Sequence, residues 1–324
     1  MIISFYWIFF LPNVFVENKK IDFFIKKNTS FHELMEDLAP NLKSKISFMI
    51  ASKFKKYDKN IKPGRYVIER STNNNQLINN LRINNIPIKV TFNNLERIQN
   101  LASVVSKQIE ADSLSLINQL LSEEFLIDNG FNANTALSMY VPNSYELFWD
   151  ISPADFQKRM HSEYLKFWNK KRLHRAKEIN LTPIEVSILA SVVNKESSIK
   201  EERPFIAGVY MNRLKKKIKL QADPTVIFSI KQKENNYKKI IKRVLFRDLK
   251  LDSKYNTYKY LGLPPGPICM PDISSIDAVL NFKNHNYLYF VANPDKPGYH
   301  SFSRTLEEHN YYRRVYINWL RKIK

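Results

Sequence analysis

The chain has 324 residues, 44% hydrophobic and 13% aromatic, enough for a substantial core and for two or three domains. Its formal charge of +20 favours polyanionic partners, such as nucleic acid, anionic lipid or an acidic wall polymer. A single cysteine, Cys269, excludes an internal disulfide framework and a multi-cysteine zinc site. No zinc-finger spacing, RNA-binding aromatic motif or P-loop is present, so nucleic acid is not an expected partner.

The first 16 residues, MIISFYWIFFLPNVFV, carry no charge, and Lys19 and Lys20 follow. A spanning helix takes about 20 apolar residues to cross a core of about 30 Å. This run is shorter and is interrupted by Pro12 and Asn13. With no basic segment before it and no small-residue cleavage site after it, a short membrane anchor over 1–18 is expected, and a buried element of a soluble domain is the alternative.

Small units follow. Ser30 and Glu33 form a capping box ahead of Leu34 and Leu38. Gly64 to Ile68 is strand-like, and Asn74 and Asn75 precede Leu77, Ile78 and Leu81 at helical spacing. Ile88, Val90 and Phe92 alternate as a half-buried strand. Asn94 is expected to open a helix with Leu95, Ile98, Ala102 and Val105 on one face. Residues 21–150 therefore read as an α+β region for binding or spacing, without a candidate acid, base or metal cluster. Pro153 to Ile179 predicts a charged surface helix, with Phe156, Met160, Tyr164 and Phe167 facing inward.

Residues 151–324 carry the chemistry. Thr182, Pro183 and Glu185 give a helix start with a capping box. Ile188 and Val192, and Leu189 and Val193, lead by steps of three or four to Glu196, which places a carboxylate on an apolar face. Desolvation there raises a carboxyl pKa and suits it to donate a proton near neutrality. The alternative is that Glu196 lies past the buried stripe, where the helix frays. A second helix begins near Glu201, Glu202 and Pro204, buries Ile206, Val209, Tyr210 and Leu214, and uses Gly208 for a close approach. Leu263 to Pro267 (LPPGP) predicts a rigid loop, Leu288 to Ala292 a buried strand, and His309 to Trp319 a closing helix.

The segments LASVVNKESSIKEERPFIAGVYMNRL, LQADPTVIFSI, YNTYKYLGLPPGPI, NYLYFVA and HSFSRTLEEHN occur in order between Leu189 and Asn310. Together they resemble the endolytic murein transglycosylases of the YceG-like family. The first half resembles the family's LysM-like region more loosely, through KPGRY and the turn–helix units. The resemblance implies an α+β fold: a short N-terminal membrane anchor and a LysM-like region, followed by a mixed α/β catalytic domain. It further implies a single-pass protein of the bacterial inner membrane with its catalytic domain in the periplasm. Its substrate would be nascent peptidoglycan strands, cut between N-acetylmuramic acid and N-acetylglucosamine to leave a 1,6-anhydromuramic acid end. It implies no cofactor and no metal, and association with peptidoglycan synthases.

The family's catalytic glutamate matches Glu196 within N-K-E-S, where the family has E-K-E-T and this chain has Asn194 for the first glutamate. The same resemblance assigns substrate contacts to Gln221, Asp223, Thr225, Tyr255, Asn256, Thr257, Tyr258, Gly266 and His300. From residue type alone, Asp223 before Pro224 also reads as a cap, and His300 as a structural histidine. Met270 and Asp272 depart from the family's loop, Asn143 replaces an aspartate in Tyr140 to Glu146, and the basic insert Lys231 to Arg243 reads as a solvated face. A hydrolytic muramidase and a non-catalytic peptidoglycan-binding division scaffold are the competing readings.

Overall fold

The computed structural model describes residues 2–322, which divide into two compact units. The first comprises Met1–Thr91, Ser103–Leu116 and Ser144–Asp155; the second comprises Phe92–Ala102, Ile117–Asn143 and Phe156–Lys324. In chain order the elements are α1 (Ile2–Phe10), β1 (Lys20–Ile25), α2 (Phe31–Leu38), α3 (Lys45–Phe54), β2 (Gly64–Glu69), α4 (Asn74–Ile83) and β3 (Ile88–Phe92). Next come α5 (Ile98–Val105), α6 (Ser113–Leu120), α7 (Glu123–Asp128), β4 (Asn143–Leu147), α8 (Pro153–Phe167) and α9 (Lys170–Glu178). The chain closes with α10 (Pro183–Glu196), α11 (Arg203–Lys215), α12 (Asp223–Lys233), α13 (Ile273–Leu280), β5 (Tyr289–Ala292), β6 (His300–Ser303) and α14 (Leu306–Lys322). The protein is thus mixed α and β, and each sheet has two strands: β1 with β2, β3 with β4, and β5 with β6.

In the first unit, β1 and β2 are antiparallel, with Phe23 opposite Tyr66 and Ile21 opposite Ile68. Alternation buries Phe23, Ile25, Tyr66 and Ile68 on one face, as a pleated strand requires. The Ser30–Glu33 capping box forms as expected and buries Leu34 and Leu38 on α2. Helix α4 starts one residue earlier than the asparagine pattern suggests: Asn73 caps it with Gln76, and Asn74 is inside it.

The expected anchor over 1–18 takes a different form. Helix α1 has nine residues, about 14 Å at 1.5 Å per residue, and among the described residues no helix is long and apolar enough to cross a membrane. Phe9, Val14 and Val16 are buried in the core of the first unit. Asn13 is buried too, and its amide donates to Ser44 O (2.9 Å) and Asn74 Oδ1 (2.8 Å) while accepting from Ser44 N (2.8 Å). A sequence run cannot distinguish lipid from core, because both reward apolar side chains; in this structure the buried Asn13 finds its partners within the first unit.

In the second unit, α10 is the central helix. All eight residues from Val186 to Val193 are buried, so its surroundings are protein on every side rather than along one stripe. Ser187 and Ser191 fit this interior by donating to Pro183 O and Ile188 O. The helical stretch expected over 153–179 divides at Asn169, which caps α9. Helix α5 begins at Ile98, not at Asn94, whose φ of 48° belongs to a left-handed turn. Gly208 is needed for close packing: a Cβ there would lie 2.5 Å from Lys283 O. Strand β5 is half-buried rather than buried, and α14 is longer at both ends than the closing helix expected. The basic insert is not wholly solvated, since Lys231 pairs with Glu96 at 2.9 Å.

Candidate active site

Glu196 is the last residue of α10, where Ser197 turns extended and ends the helix. Its side chain enters a cleft of about 310 Å³ lined by Tyr210, Arg213, Gln221, Asp223, Tyr258 and His300, with Tyr289 and His309 at its wall. The hydroxyl of buried Tyr210 donates to Glu196 Oε1 at 2.5 Å; Oε2 has no protein partner among the described residues. Burial pushes the Glu196 carboxyl up to about 7. The Tyr210 hydrogen bond opposes this, the Asp223 charge adds to it, and the charges of His300 and Arg213 oppose it. A carboxyl group so placed is partly protonated at neutral pH and can both give and take a proton.

Tyr210 and Arg213 lie one turn apart on α11 and face the same cleft. Arg213 is held by four acceptors: Nε donates to Leu288 O (2.7 Å), and Nη1 to Lys219 O (3.2 Å), Leu220 O (2.8 Å) and Gln221 Oε1 (3.3 Å). Asp223 opens α12 as its first residue and makes no capping bond to the backbone. Its carboxylate accepts from the Tyr258 hydroxyl at 2.6 Å. His300 Nδ1 meets Glu202 Oε2 at 2.8 Å, and His300 N donates to Glu202 Oε1 at 2.6 Å. Burial raises the Glu202 carboxyl, but the His300 side-chain and backbone bonds outweigh it and hold the group below the usual value.

Of the expected contacts, Gln221, Asp223, Tyr258 and His300 therefore meet Glu196 in one cleft. The others lie elsewhere. Thr225 and Thr257 are buried and bonded to each other at 2.9 Å, and Ala222 N donates to Thr257 Oγ1, so they lock the start of α12, which carries Asp223, to the turn that carries Tyr258. Asn256 is wholly buried and donates to Leu249 O and Leu251 O. Tyr255 packs on Phe228 with ring centroids 4.7 Å apart. At Gly266 a side chain would collide with the Asn134 carbonyl, so this glycine serves close packing. Asn194 turns to α13, where it accepts from Asp272 N and Ser275 Oγ; Asp272 caps that helix and pairs with Arg203 at 2.7 Å.

Sequence reasoning missed Tyr210 and Arg213 as cleft residues, and Glu202 as the partner of His300. From the sequence Tyr210 reads only as a core residue. The available signal was Arg213, a charge three residues further along the same helix face.

The matched stretch of an endolytic murein transglycosylase from Bacillus subtilis is 43% identical over 130 residues, 40% of this chain and 34% of that protein. One from Streptococcus pneumoniae is 36% identical over 116 residues, 36% of this chain and 21% of that protein. The chain thus spans about a third or less of the length of the curated relatives it matches. The crystal structure of a yceG-like protein from Listeria monocytogenes superposes with a TM-score of 0.60 at 26% identity, covering 90% of this chain and 98% of that one. The YceG-like family model matches residues 23–314, nearly the whole chain, and the protein belongs to that family.

Proposed function

We propose that the protein is an endolytic murein transglycosylase, a lyase that cuts peptidoglycan strands between N-acetylmuramic acid and N-acetylglucosamine. The observation that carries the proposal is the Glu196 carboxyl, brought to about 7 in a cleft rich in hydroxyl, amide and aromatic groups. Protonated Glu196 gives its proton to the glycosidic oxygen as the bond to C1 of the muramic sugar breaks and an oxocarbenium-like state develops. The resulting carboxylate keeps the Tyr210 hydrogen bond on Oε1. Glu196 then takes the proton of the sugar's own C6 hydroxyl as O6 bonds to C1. The proton count closes, no water is consumed, and the intramolecular nucleophile has a high effective molarity.

Asp223 supports a second reading. It is another carboxylate in the same cleft, and a hydrolytic muramidase would use such a pair to handle water. The masses of the products separate the two readings: a transglycosylase releases ends one water lighter than a muramidase does. Binding without release would support the non-catalytic scaffold.

The same proposal places the chemistry in residues 151–324 and glycan binding in a LysM-like region over 21–150. The latter is supported by a small α+β unit built around the β1–β2 pair. It also places the protein at the periplasmic side of the inner membrane, beside peptidoglycan synthases. Support for membrane association comes from the exposed Tyr6, Trp7 and Phe10 of α1, aromatic residues suited to a lipid interface. Sedimentation with membranes that resists a salt wash tests this placement; release by salt would indicate surface charge instead.

A further inference from the structure

Helix α11 buries two arginines, and their surroundings differ. Arg203 has an acidic partner, Asp272, at 2.7 Å. Arg213, 7% exposed, has only neutral hydrogen-bond acceptors among the described residues: three backbone carbonyls and the Gln221 amide. All four bonds use Nε and Nη1. Nη2 makes no hydrogen bond among the described residues, and it is not one of the buried unpartnered atoms. The little exposure Arg213 keeps therefore includes Nη2, and the residue lines the Glu196 cleft. Among the described residues no carboxylate pairs directly with it, and the Glu196 charge reaches it only across the cleft. A buried guanidinium without a direct ion pair is costly, and the cost falls when an anion arrives. Its orientation is already fixed by the four bonds and by the Tyr289 ring, 5.1 Å from the guanidinium carbon, so little ordering remains for a ligand to impose.

The geometry points to Arg213 as a subsite for a carboxylate on the substituent borne by the substrate sugar, presented to Nη2 inside the cleft. The inference rests on the glycan reading above and refines its substrate class. The cleft takes a sugar bearing an acidic substituent in preference to a neutral polysaccharide. Two sources share this chemistry. In strands stripped of peptide, the lactyl group of muramic acid ends in a free carboxylate. In peptide-bearing strands the lactyl group is an amide, and the carboxylates belong to the peptide.

The test is binding of purified glycan strands to the full chain carrying Glu196→Gln, which prevents turnover. Four kinds of strand are compared: peptide-free, peptide-bearing, and each of these with its carboxyl groups converted to methylamides. Neutralisation should weaken binding about 10-fold or more, the scale of a lost charge-assisted hydrogen bond. A loss seen with peptide-free strands assigns the lactyl carboxylate; a loss confined to peptide-bearing strands assigns the peptide. Arg213→Gln should bind acidic and neutralised strands alike, and Arg213→Lys should keep part of the preference. A purely structural arginine would weaken both kinds of strand equally. The comparison of strands on the Arg213-containing chain needs no variant at that position, so misfolding cannot mimic the result. Equal binding of acidic and neutralised strands overturns the subsite, while release of anhydro ends by the unsubstituted chain still supports the glycan reading. Failure to bind any strand overturns both.

Discussion

Tyr210 and Glu196, 14 residues apart on consecutive helices, share a 2.5 Å hydrogen bond in which the phenol donates to carboxylate Oε1. The bond fixes one oxygen of the acid and leaves the other for the substrate. It also favours the ionised form and so restrains the rise that burial imposes. Tyr210 is a positioning residue. Tyr210→Phe should lower the rate of strand cleavage about 10-fold to 100-fold, the scale of a hydrogen bond to a charged group. The limb of the pH–rate profile that reports Glu196 should also move to higher pH. A lower rate with an unmoved profile would mean that Tyr210 only packs.

Glu196 and stability are linked with a definite sign. Its folded value, about 7, lies above the ordinary glutamate value, so between the two the folded state holds more protons than the unfolded state. Stability contributed at this site therefore falls as pH rises from the unfolded value to about 7. Thermal melts across that range should show Glu196→Gln gaining stability relative to the unsubstituted chain as pH increases. Parallel curves would remove the claim that the group is protonated near neutrality.

Glu202 has the opposite sign. Its carboxyl is held below the usual value, so its contribution is present above the unfolded value and is lost as pH falls through the folded one. Glu202→Gln should be less stable than the parent at neutral pH, and the gap should narrow in acid. The same variant frees His300, which should raise KM or lower kcat for strand cleavage. A gap constant from neutral pH into acid would contradict an ionised Glu202.

Asn13 tests the role of the N-terminal segment. In a lipid setting Asn13→Leu improves an anchor. In the packed arrangement it strands the Ser44 backbone groups and Asn74, at about 1–3 kcal/mol. The variant should melt at a lower temperature. An unchanged melt with stronger membrane partition would instead favour the anchor.

The placement of Glu196 among apolar neighbours follows from the Ile188–Val192 and Leu189–Val193 ladders, because helical spacing is local. The full burial of α10 does not follow, because Ser187 and Ser191 look polar until their hydroxyls are seen bonded within the helix. In YNTY, a tight turn sends neighbouring side chains in different directions. Tyr258 reaches the cleft, while Asn256 and Thr257 hold the turn and its neighbour from inside. The His300–Glu202 pair joins residues 98 apart, a distance no local pattern reports. The segment 1–18 is ambiguous for a different reason: apolar composition serves a core and a bilayer equally, and the partners of Asn13 lie outside that local pattern.

The central claim is that Glu196 moves the proton in both halves of a water-free cleavage. Purified peptidoglycan strands incubated with the full chain, followed by mass spectrometry of the released fragments, test it most directly. The unsubstituted protein should release fragments with 1,6-anhydromuramic ends. Glu196→Gln, folded by circular dichroism and still binding strands, should release at least about 10²-fold to 10⁴-fold less, the range for loss of general acid–base catalysis. Release at the parent rate by Glu196→Gln, or ends one water heavier from the parent chain, would contradict it.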